Sequence, residues 1–464
     1  MNLTFSQIDE FIKRTTVYEY KELIFLKDLF LIPATLFILY FILKKYKSKQ
    51  PEELRKYYLI GYFVKLIGLP LFIIHHTYIY TGGVDSFTYF WSSNELIQLL
   101  YIKPQLALEI LFSSNNTLSP ADYNFNLSSF IFAPNECFTI KLSTIINALT
   151  GNSYFVSGLI TSFFAYLGCW KILVVFNKIY PGNAKLFAFT TIFIPSVIFW
   201  TSVAAKEVYC IGAMGYFFYY LIEVFKYKKN IVINSIKLIV LSYILIRIKV
   251  YILIAFIVAF LFYLLFAKII KIKNYLLRYL SLPILLLTFI FLLTFVLSSM
   301  ESVLQQFALN NILETIKTTY DYLAQDNFAS SRYDLGTIEP TVAGVAKLAP
   351  AGINVTLFRP YLWEANKPIT LIAALESLIT LLLTLFVLYK SKFRFIKYMF
   401  KDNLLIFCIV FALIFSLAVG ITSGNFGTLM RYKIPMMPFY YSALAIIYIK
   451  AKENIKDVFA KELE

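Results

Sequence analysis

A single acidic residue stands in an aromatic stretch that follows a long apolar run. The stretch YTGGVDSFTYFWSSNE, residues 80 to 95, places Asp85 where the chain leaves a predicted membrane span, with Tyr89 four residues later. A carboxylate within reach of a sugar hydroxyl removes its proton as a new bond forms, which accelerates transfer by about 10² to 10⁴-fold. Glycoside hydrolysis typically requires two flanking carboxylates, and no second acid stands at a fixed spacing, although Glu136 or Glu207 could lie near in space. The pattern favours direct transfer with inversion over hydrolysis, and the alternative for Asp85 is a solvated turn or a helix cap.

Basic residues at the ends of predicted helices form a second group. They are Lys206, Arg247, Lys249, Arg359, Arg431 and Lys433. All fall on the side of the membrane from which Lys and Arg are normally depleted, so they need anionic partners. The partners could be nearby acids, since Lys206 adjoins Glu207 and Arg359 lies five residues from Glu364. They could also be a ligand phosphate, held by guanidinium and ammonium groups without a required metal ion.

The stretch IPSVIFWTSVAAKEVY, residues 194 to 209, connects these cations to a membrane span. If it is helical beyond Pro195, Trp200 and Glu207 share one face and Lys206 lies on another. The sequence thus predicts a polar, aromatic helix end that meets lipid headgroups and sugars by hydrogen bonds and stacking. The alternative is a tight turn between two spans.

Composition defines the elements that must position these residues. The chain has 464 residues, of which 59% are hydrophobic and 15% charged, and its mean hydropathy is +0.70. Apolar runs of about 17 to 25 residues recur, each long enough to cross a membrane as a helix, and they lack the alternation of a barrel. The sequence predicts an all-α polytopic membrane protein with about eleven spans. They lie near residues 24–43, 59–80, 153–176, 185–203, 207–225, 231–246, 250–267, 279–298, 369–389, 404–421 and 434–449.

The distribution of Lys and Arg predicts the orientation. Lysine-rich connections such as KKYKSKQPEELRKYY and KYKKN mark one face as cytoplasmic, so the net charge of +16 is mostly topological and nucleic acid is not a predicted partner. The opposite face carries two long loops, residues 81–152 and 299–368, with an amphipathic surface helix expected at 135–149. Residues 1–23 are predicted to be a surface segment, 24–449 the multispan domain and 450–464 a cytoplasmic tail.

The cysteines and histidines of the chain predict neither a disulfide framework nor a metal site. The four cysteines are scattered, so no disulfide framework is implied. His75 and His76 are the only histidines, and neighbours in a helix point about 100° apart, so a two-histidine metal site is not expected. The sequence predicts neither a metal ion nor a cofactor.

Three features together resemble a known class of membrane enzymes. Asp85 in GGVDSFTYF, the helix end PSVIFWTSVAAKE and the closing MRYKIPMMPF, residues 430 to 439, look like the GT-C class of glycosyltransferases. The match is similar to uncharacterised bacterial multispan proteins near the dolichyl-phosphate-mannose and lipid-A-sugar transferase families. As an arrangement of elements it covers about residues 59 to 449. Here Val84 and Ser86 flank the acid, where many members have a pair of acids, and an extra helix precedes the acidic loop.

The resemblance implies a polyprenyl-phosphate-linked sugar donor and an acceptor that is a glycan, a lipid or a protein. It implies that Asp85 is the general base and that cations hold the donor phosphate. The expected substrate-binding residues are Lys206, Glu207, Arg247, Arg359, Arg431, Tyr89 and Trp200. Asp85, Lys206, Arg359 and Arg431 are predicted to converge on one cavity at the outer boundary of a bacterial inner membrane. Two other functions stay open, namely a polymerase or ligase of lipid-linked polysaccharide repeats, and a transporter or flippase.

Overall fold

A computed structural model of the chain describes most of its residues. They are residues 25–80, 84–113, 127–133, 136–269, 332–336 and 341–462, together with 271–274, 276, 277, 280, 317, 318 and 339. The side chains of Val342 and of residues 454–462 are not described. The surface segment predicted at 1–23 and nearly all of the span predicted at 279–298 lie outside the described residues.

Every regular element in the described part of the chain is a helix. The α-helices are α1 Asp28–Lys47, α2 Arg55–Ile74, α3 Asp85–Ile102, α4 Pro104–Phe112, α5 Cys137–Leu149, α6 Tyr154–Ile179, α7 Ala184–Thr191, α8 Pro195–Trp200, α9 Lys206–Phe225, α10 Ile231–Ile269, α11 Val342–Phe358, α12 Pro368–Lys390, α13 Phe395–Met399, α14 Asn403–Ser423, α15 Phe426–Tyr432 and α16 Met437–Glu462. A five-residue π-helix, His75–Ile79, extends α2, and short 3₁₀ turns precede α2 and α16.

Eight of the described helices are long and apolar enough to cross a membrane. They are Asp28–Lys47, Glu52–Ile79, Tyr154–Ile179, Lys206–Phe225, Ile231–Ile269, Pro368–Lys390, Asn403–Ser423 and Phe426–Glu453. The span predicted at 185–203 is wrong as a continuous helix, because the chain forms the short helices α7 and α8 there. The spans predicted at 231–246 and 250–267 form the 39-residue α10, in which Lys249 alone has non-helical backbone angles, φ −150° and ψ 81°.

The described residues divide into two compact units. Unit 1 comprises Met1–Ala184 and Val197–Lys249, and unit 2 comprises Lys185–Ser196 and Val250–Glu464. Each unit has its own set of spans, so each is described by itself below.

The spans of unit 1 run between two chemically different ends, and α6 and α9 run parallel to each other, since Gly168 lies against Gly215 and Lys178 pairs with Glu223. At one end Gly182 N donates to the Glu53 carboxylate at 3.1 Å and Lys178 pairs with Glu223 at 2.7 Å. At the other end the Lys27 ammonium donates to Gly151 O at 2.7 Å. We call the first the Lys-rich end, which contains connections 48–51 and 226–230, and the second the Asp85 end. The lysine-rich connections KKYKSKQPEELRKYY and KYKKN thus meet at one end of the unit.

A lysine inside α2 of unit 1 donates hydrogen bonds to the C-terminal end of α8. The Lys65 ammonium donates to Val197 O at 3.1 Å, Ile198 O at 2.9 Å and Thr201 Oγ1 at 2.5 Å. Val197 and Ile198 lie in the last turn of α8, where helix carbonyl groups need additional donors, and the Thr201 hydroxyl just beyond the helix itself donates to Val197 O at 2.6 Å. The interaction fixes the point at which α8 ends and the buried, non-helical residues 201–205 begin.

Helices α6 and α9 of unit 1 pack at backbone contact. A Cβ added to Gly215 would come within 2.1 Å of Gly168 O. Small residues allow membrane helices to approach this closely, which increases their van der Waals contact. The α6–α9 pair therefore forms a rigid support beneath the first residues of α9, Lys206 and Glu207.

The segment before α6 forms a helical layer at the Asp85 end of unit 1. Helices α3, α4 and α5 share a buried apolar cluster that includes Tyr89, Leu96, Ile110 and Ile140. A polar network joins this layer to α6, because Asn147 donates to Ser93 and accepts a hydrogen bond from Ser157. The interval 135–149, predicted as an amphipathic helix, contains α5.

Unit 2 contains a helix within the interval 299–368 that was predicted as an outer loop. Helix α11 packs antiparallel to α14, since Gly352 lies against Gly420 and Thr356 Oγ1 donates to Ser416 O at 2.7 Å. Arg359 follows α11, and its carbonyl accepts from Ser377 Oγ at 3.0 Å. At 1.5 Å per residue Ser377 lies about 13 Å along α12 from its first residue. The end of α11 therefore lies beside the middle part of a span.

Candidate functional site

Asp85 is the first residue of α3 at the Asp85 end of unit 1. Val84 precedes it with an extended backbone and supplies no side-chain cap. A carboxylate in the first turn of a helix is stabilised by the positive end of the helix dipole. The Asp85 side chain thus lies at the helix end whose backbone N–H groups have no partner within the helix.

Tyr89, one turn after Asp85, is linked to Glu136 and Lys206. The Tyr89 hydroxyl donates to Glu136 Oε2, and the Lys206 ammonium donates to Glu136 Oε1 at 2.6 Å. Both oxygens of the Glu136 carboxylate are thus engaged, one by a phenol and one by a cation. Lys206 thus pairs with Glu136, 70 residues away along the chain, and the adjacent Glu207, which the sequence offered as one possible partner, pairs with another lysine.

Glu207 pairs with Lys249. The Lys249 ammonium lies 3.0 Å from Glu207 Oε1, and the two side chains are only 8% and 5% exposed. Glu207 is the second residue of α9, and Lys249 occupies the irregular position of α10. The pair therefore joins the start of one span to the break in the next.

Three acids of this region lie close enough to the Tyr89 hydroxyl to change its pKa. Burial raises the pKa of Tyr89 well above its usual value, and the negative charges of Asp85, Glu136 and Glu207 raise it further. Nearby anions disfavour ionisation of a phenol, so Tyr89 remains a hydrogen-bond donor. Lys206 and Lys249 pair with two of these carboxylates, Glu136 and Glu207. The group, Asp85, Tyr89, Glu136, Lys206, Glu207 and Lys249, is called the Tyr89 cluster below.

Trp200 and Arg247 also belong to unit 1. Trp200 ends α8, and its ring lies 6.0 Å from Phe72 and 5.9 Å from His76. Helix α8 stops at Trp200 and α9 begins at Lys206, so the continuous helix on which a shared face of Trp200 and Glu207 depended is not present. The Arg247 guanidinium lies over the Phe138 ring at 5.8 Å.

Arg359 and Arg431 belong to unit 2. Arg359 forms a two-pronged ion pair with Glu364, the nearby acid that the sequence offered as its structural partner. Its guanidinium also lies over the rings of Tyr333 and Phe426 at 5.8 and 5.5 Å. Arg431 is a partly buried residue of α15. The convergence of these arginines with Asp85 and Lys206 stays a prediction.

The sequence named most members of the Tyr89 cluster but not their pairing. Glu136 and Lys249 were visible only as one acid among several in a loop and one cation among several at helix ends. Within the described ranges, no group of three or more His, Cys, Asp or Glu side chains could hold a metal ion. What the cluster offers is a carboxylate at a helix start, beside a second carboxylate that shares a phenol and an ammonium group.

The class that these elements define is a helical, multi-pass membrane protein. The chain matches no protein-family model, no curated protein and no solved structure. The assignment of an activity therefore depends on the geometry and chemistry of the site.

Proposed function

We propose that this protein is a membrane glycosyltransferase that transfers a sugar from a polyprenyl-phosphate donor to an acceptor on the outer face of the membrane. The reaction inverts the anomeric centre in one displacement. Asp85 takes the proton of the acceptor hydroxyl as that oxygen bonds to the sugar, and the polyprenyl phosphate leaves with the bonding electrons.

The observation that carries the proposal is the position of Asp85 at the start of α3, within the Tyr89 cluster at one end of the spans of unit 1. A general base must be ionised and must meet its substrate where a lipid-linked sugar can arrive. The start of α3 lies near the ends of the spans α6 and α9, where such a substrate can arrive. An ordinary capping acid does not require two further carboxylates and a buried phenol beside it.

Lys206 is the phosphate contact in unit 1 under this proposal. Its ammonium is held by Glu136 at 2.6 Å, so a donor phosphate exchanges with that carboxylate. Since the pair is partly exposed, at 14% and 22%, this exchange costs less than it would at the buried Lys249–Glu207 pair. Arg359 and Arg431 remain candidate phosphate contacts, and Glu364 occupies the guanidinium fork of Arg359 in the same manner.

The proposed location is the inner membrane of a bacterium, with the Asp85 end facing the periplasm or the exterior. Lysines that concentrate at the opposite end of unit 1 support this orientation, since positive loops stay in the cytoplasm. The partners are then the lipid-linked donor, membrane lipids and an acceptor glycan, lipid or protein.

One observation favours transport as the second candidate. In unit 2 the Lys433 ammonium lies 3.4 Å from Ser377 Oγ, and Ser196 Oγ donates to Glu376 at 2.8 Å, all within or beside predicted spans. Ionisable groups inside spans often mark ion or substrate pathways. The two functions make different predictions for Asp85.

The test is a comparison of lipid-linked sugars and surface glycans, by mass spectrometry, in cells that carry wild type, Asp85→Asn or Glu52→Gln. Glu52 is an exposed acid at the Lys-rich end and serves as the matched control. The transferase loses one sugar from its product and accumulates the polyprenyl-phosphate sugar in Asp85→Asn alone, at normal protein abundance. Accumulation of whole repeat units would identify a polymerase or ligase instead, and unchanged glycans in Asp85→Asn would reject the transferase and favour transport.

A further inference from the structure

Two cations lie close together where α5 meets α10 in unit 1. The Arg247 guanidinium lies over the ring of Phe138, and Lys141 follows Phe138 by three residues on α5. The Lys141 ammonium donates to Ser113 O at 2.9 Å and lies 3.4 Å from Ser113 Oγ. Burial lowers the pKa of Lys141, the charge of Arg247 lowers it further, and the Cys137 thiol opposes both effects. The two cations are thus neighbours through Phe138, whose ring Arg247 contacts and which lies one helical turn before Lys141.

Neither cation has a carboxylate partner among the residues that the structure describes. Acids of unit 1 such as Glu223, Glu136 and Glu207 pair with other lysines, namely Lys178, Lys206 and Lys249. Arg247 Nε is buried and has no hydrogen-bond acceptor within the described ranges. Lys141 is only 7% exposed. A buried ammonium and a partly buried guanidinium with a buried Nε are stabilised by an anion that supplies hydrogen-bond acceptors.

An exposed apolar stripe on α10 leads to Arg247. Ile236, Ile239 and Tyr243 are 56%, 70% and 55% exposed. Their spacing of three and four residues places them on one helix face, and Arg247 continues that face four residues beyond Tyr243. At 1.5 Å per residue, Arg247 lies about 6 Å beyond Tyr243 and about 16 Å beyond Ile236. That length matches one leaflet of a hydrocarbon core about 30 Å thick.

We propose that Arg247 and Lys141 bind the phosphate of an anionic phospholipid whose acyl chains lie along Ile236, Ile239 and Tyr243. The guanidinium presents two parallel N–H groups to the phosphate oxygens, and the ammonium supplies a second positive charge. The apolar stripe selects a phosphate attached to acyl chains over a free phosphate, because the chains bury the stripe as the headgroup meets the cations. This lipid site does not depend on the glycosyltransferase proposal.

The experiment measures the thermal midpoint of the purified, full-length protein in neutral detergent during titration with dioleoyl-phosphatidylglycerol. The midpoint of wild type is expected to rise with lipid concentration. In Arg247→Gln the apparent affinity falls at least about tenfold, because a lost charge-assisted hydrogen bond corresponds to roughly that factor. Arg55→Gln is the matched control: Arg55 lies at the Lys-rich end and its Nε donates to Gln50 O, so the same charge is lost elsewhere.

Further arms separate the possible sources of the phosphate. Dioleoyl-phosphatidylcholine and inorganic phosphate should each raise the midpoint less than phosphatidylglycerol at equal concentration. An equal effect of inorganic phosphate would overturn the lipid assignment in favour of a free-phosphate site. Binding of undecaprenyl phosphate more than tenfold tighter than phosphatidylglycerol, lost in Arg247→Gln, would overturn it in favour of a donor site.

A second lipid readout does not require a thermal transition. Native mass spectrometry of wild type and Arg247→Gln then counts the phosphatidylglycerol molecules retained after gentle activation. Wild type should retain at least one more molecule than Arg247→Gln, whereas Arg55→Gln should match wild type. Equal retention by all three proteins would reject the site.

Discussion

The buried ion pair Lys249–Glu207 gives the sharpest test of the Tyr89 cluster, because its consequence does not depend on a substrate. The two charges are 3.0 Å apart and no more than 8% exposed. When one partner of a buried pair is removed, the other charge is left uncompensated, at a cost of about 3 to 5 kcal/mol. Glutamine keeps one hydrogen-bond acceptor, so Glu207→Gln should lower the free energy of unfolding by about 3 kcal/mol, the lower end of that range.

The assay is reversible unfolding in mixed micelles of dodecylmaltoside and sodium dodecyl sulfate, followed by tryptophan fluorescence. Glu207→Gln, Lys249→Met and the double variant complete a thermodynamic cycle, and the double variant should cost less than the sum of the single variants by about 2 kcal/mol. Glu223→Gln is the control, since its partner Lys178 is 35% exposed and the expected loss is below about 1 kcal/mol. Additive single variants, or equal losses for Glu207→Gln and Glu223→Gln, would refute the coupling of the buried pair.

Three further predictions concern packing, orientation and thiol chemistry. Gly215→Ala should reduce thermal stability, because the new Cβ meets Gly168 O at 2.1 Å. Gly427→Ala is the control and should be tolerated, because its Cβ has no neighbour closer than 3.4 Å. Equal melting curves for the two variants would contradict this prediction. In intact cells an impermeant maleimide should label Gln105→Cys at the Asp85 end but not Lys49→Cys at the Lys-rich end, and the reverse pattern would invert the orientation. Burial raises the pKa of Cys137, so less thiolate is present at pH 8 than in free cysteine. Maleimide labelling of Cys137 in the native protein should therefore be slower than labelling of free cysteine, and it should accelerate as the pH rises. The difference in labelling between wild type and Cys137→Ser isolates this thiol.

Hydropathy predicted several spans with small errors in their boundaries. The interval 404–421 corresponds to α14, Asn403–Ser423, and 369–389 corresponds to α12, Pro368–Lys390. These predictions succeed because a helix that crosses a membrane must satisfy its backbone internally and bury an apolar length set by the bilayer.

Breaks within apolar sequence were harder to predict than spans. Residues 185–203 are apolar enough for a span, yet α7 and α8 are separate, and residues 201–205 are non-helical and buried. Hydropathy registers the composition of such a segment but not the neighbouring side chain, Lys65, that satisfies its carbonyl groups. Similarly, α11 was assigned to a loop because its helix is too short to span and depends on the contact between Gly352 and Gly420.

The sequence predicted several residues of the candidate site but not the contacts between them. Asp85, Tyr89 and Lys206 were selected from the residue types at span ends, and the structure places them in unit 1. The link through Glu136 joins residues 47 and 70 positions apart, and no local spacing encodes such a contact. Tertiary packing of α3, α5 and α9 creates the link.

The bond from Lys65 to the end of α8 also makes one membrane segment depend on another that is synthesised earlier. Val197 is synthesised 132 residues after Lys65, so α2 leaves the ribosome long before α8 does. Each carbonyl exposed to lipid without a partner costs several kcal/mol, and α8 has only six residues. Because Lys65 donates to two carbonyl groups of α8, the stability of this short helix within the membrane depends on α2 being present. An early span thus supports a later, broken one.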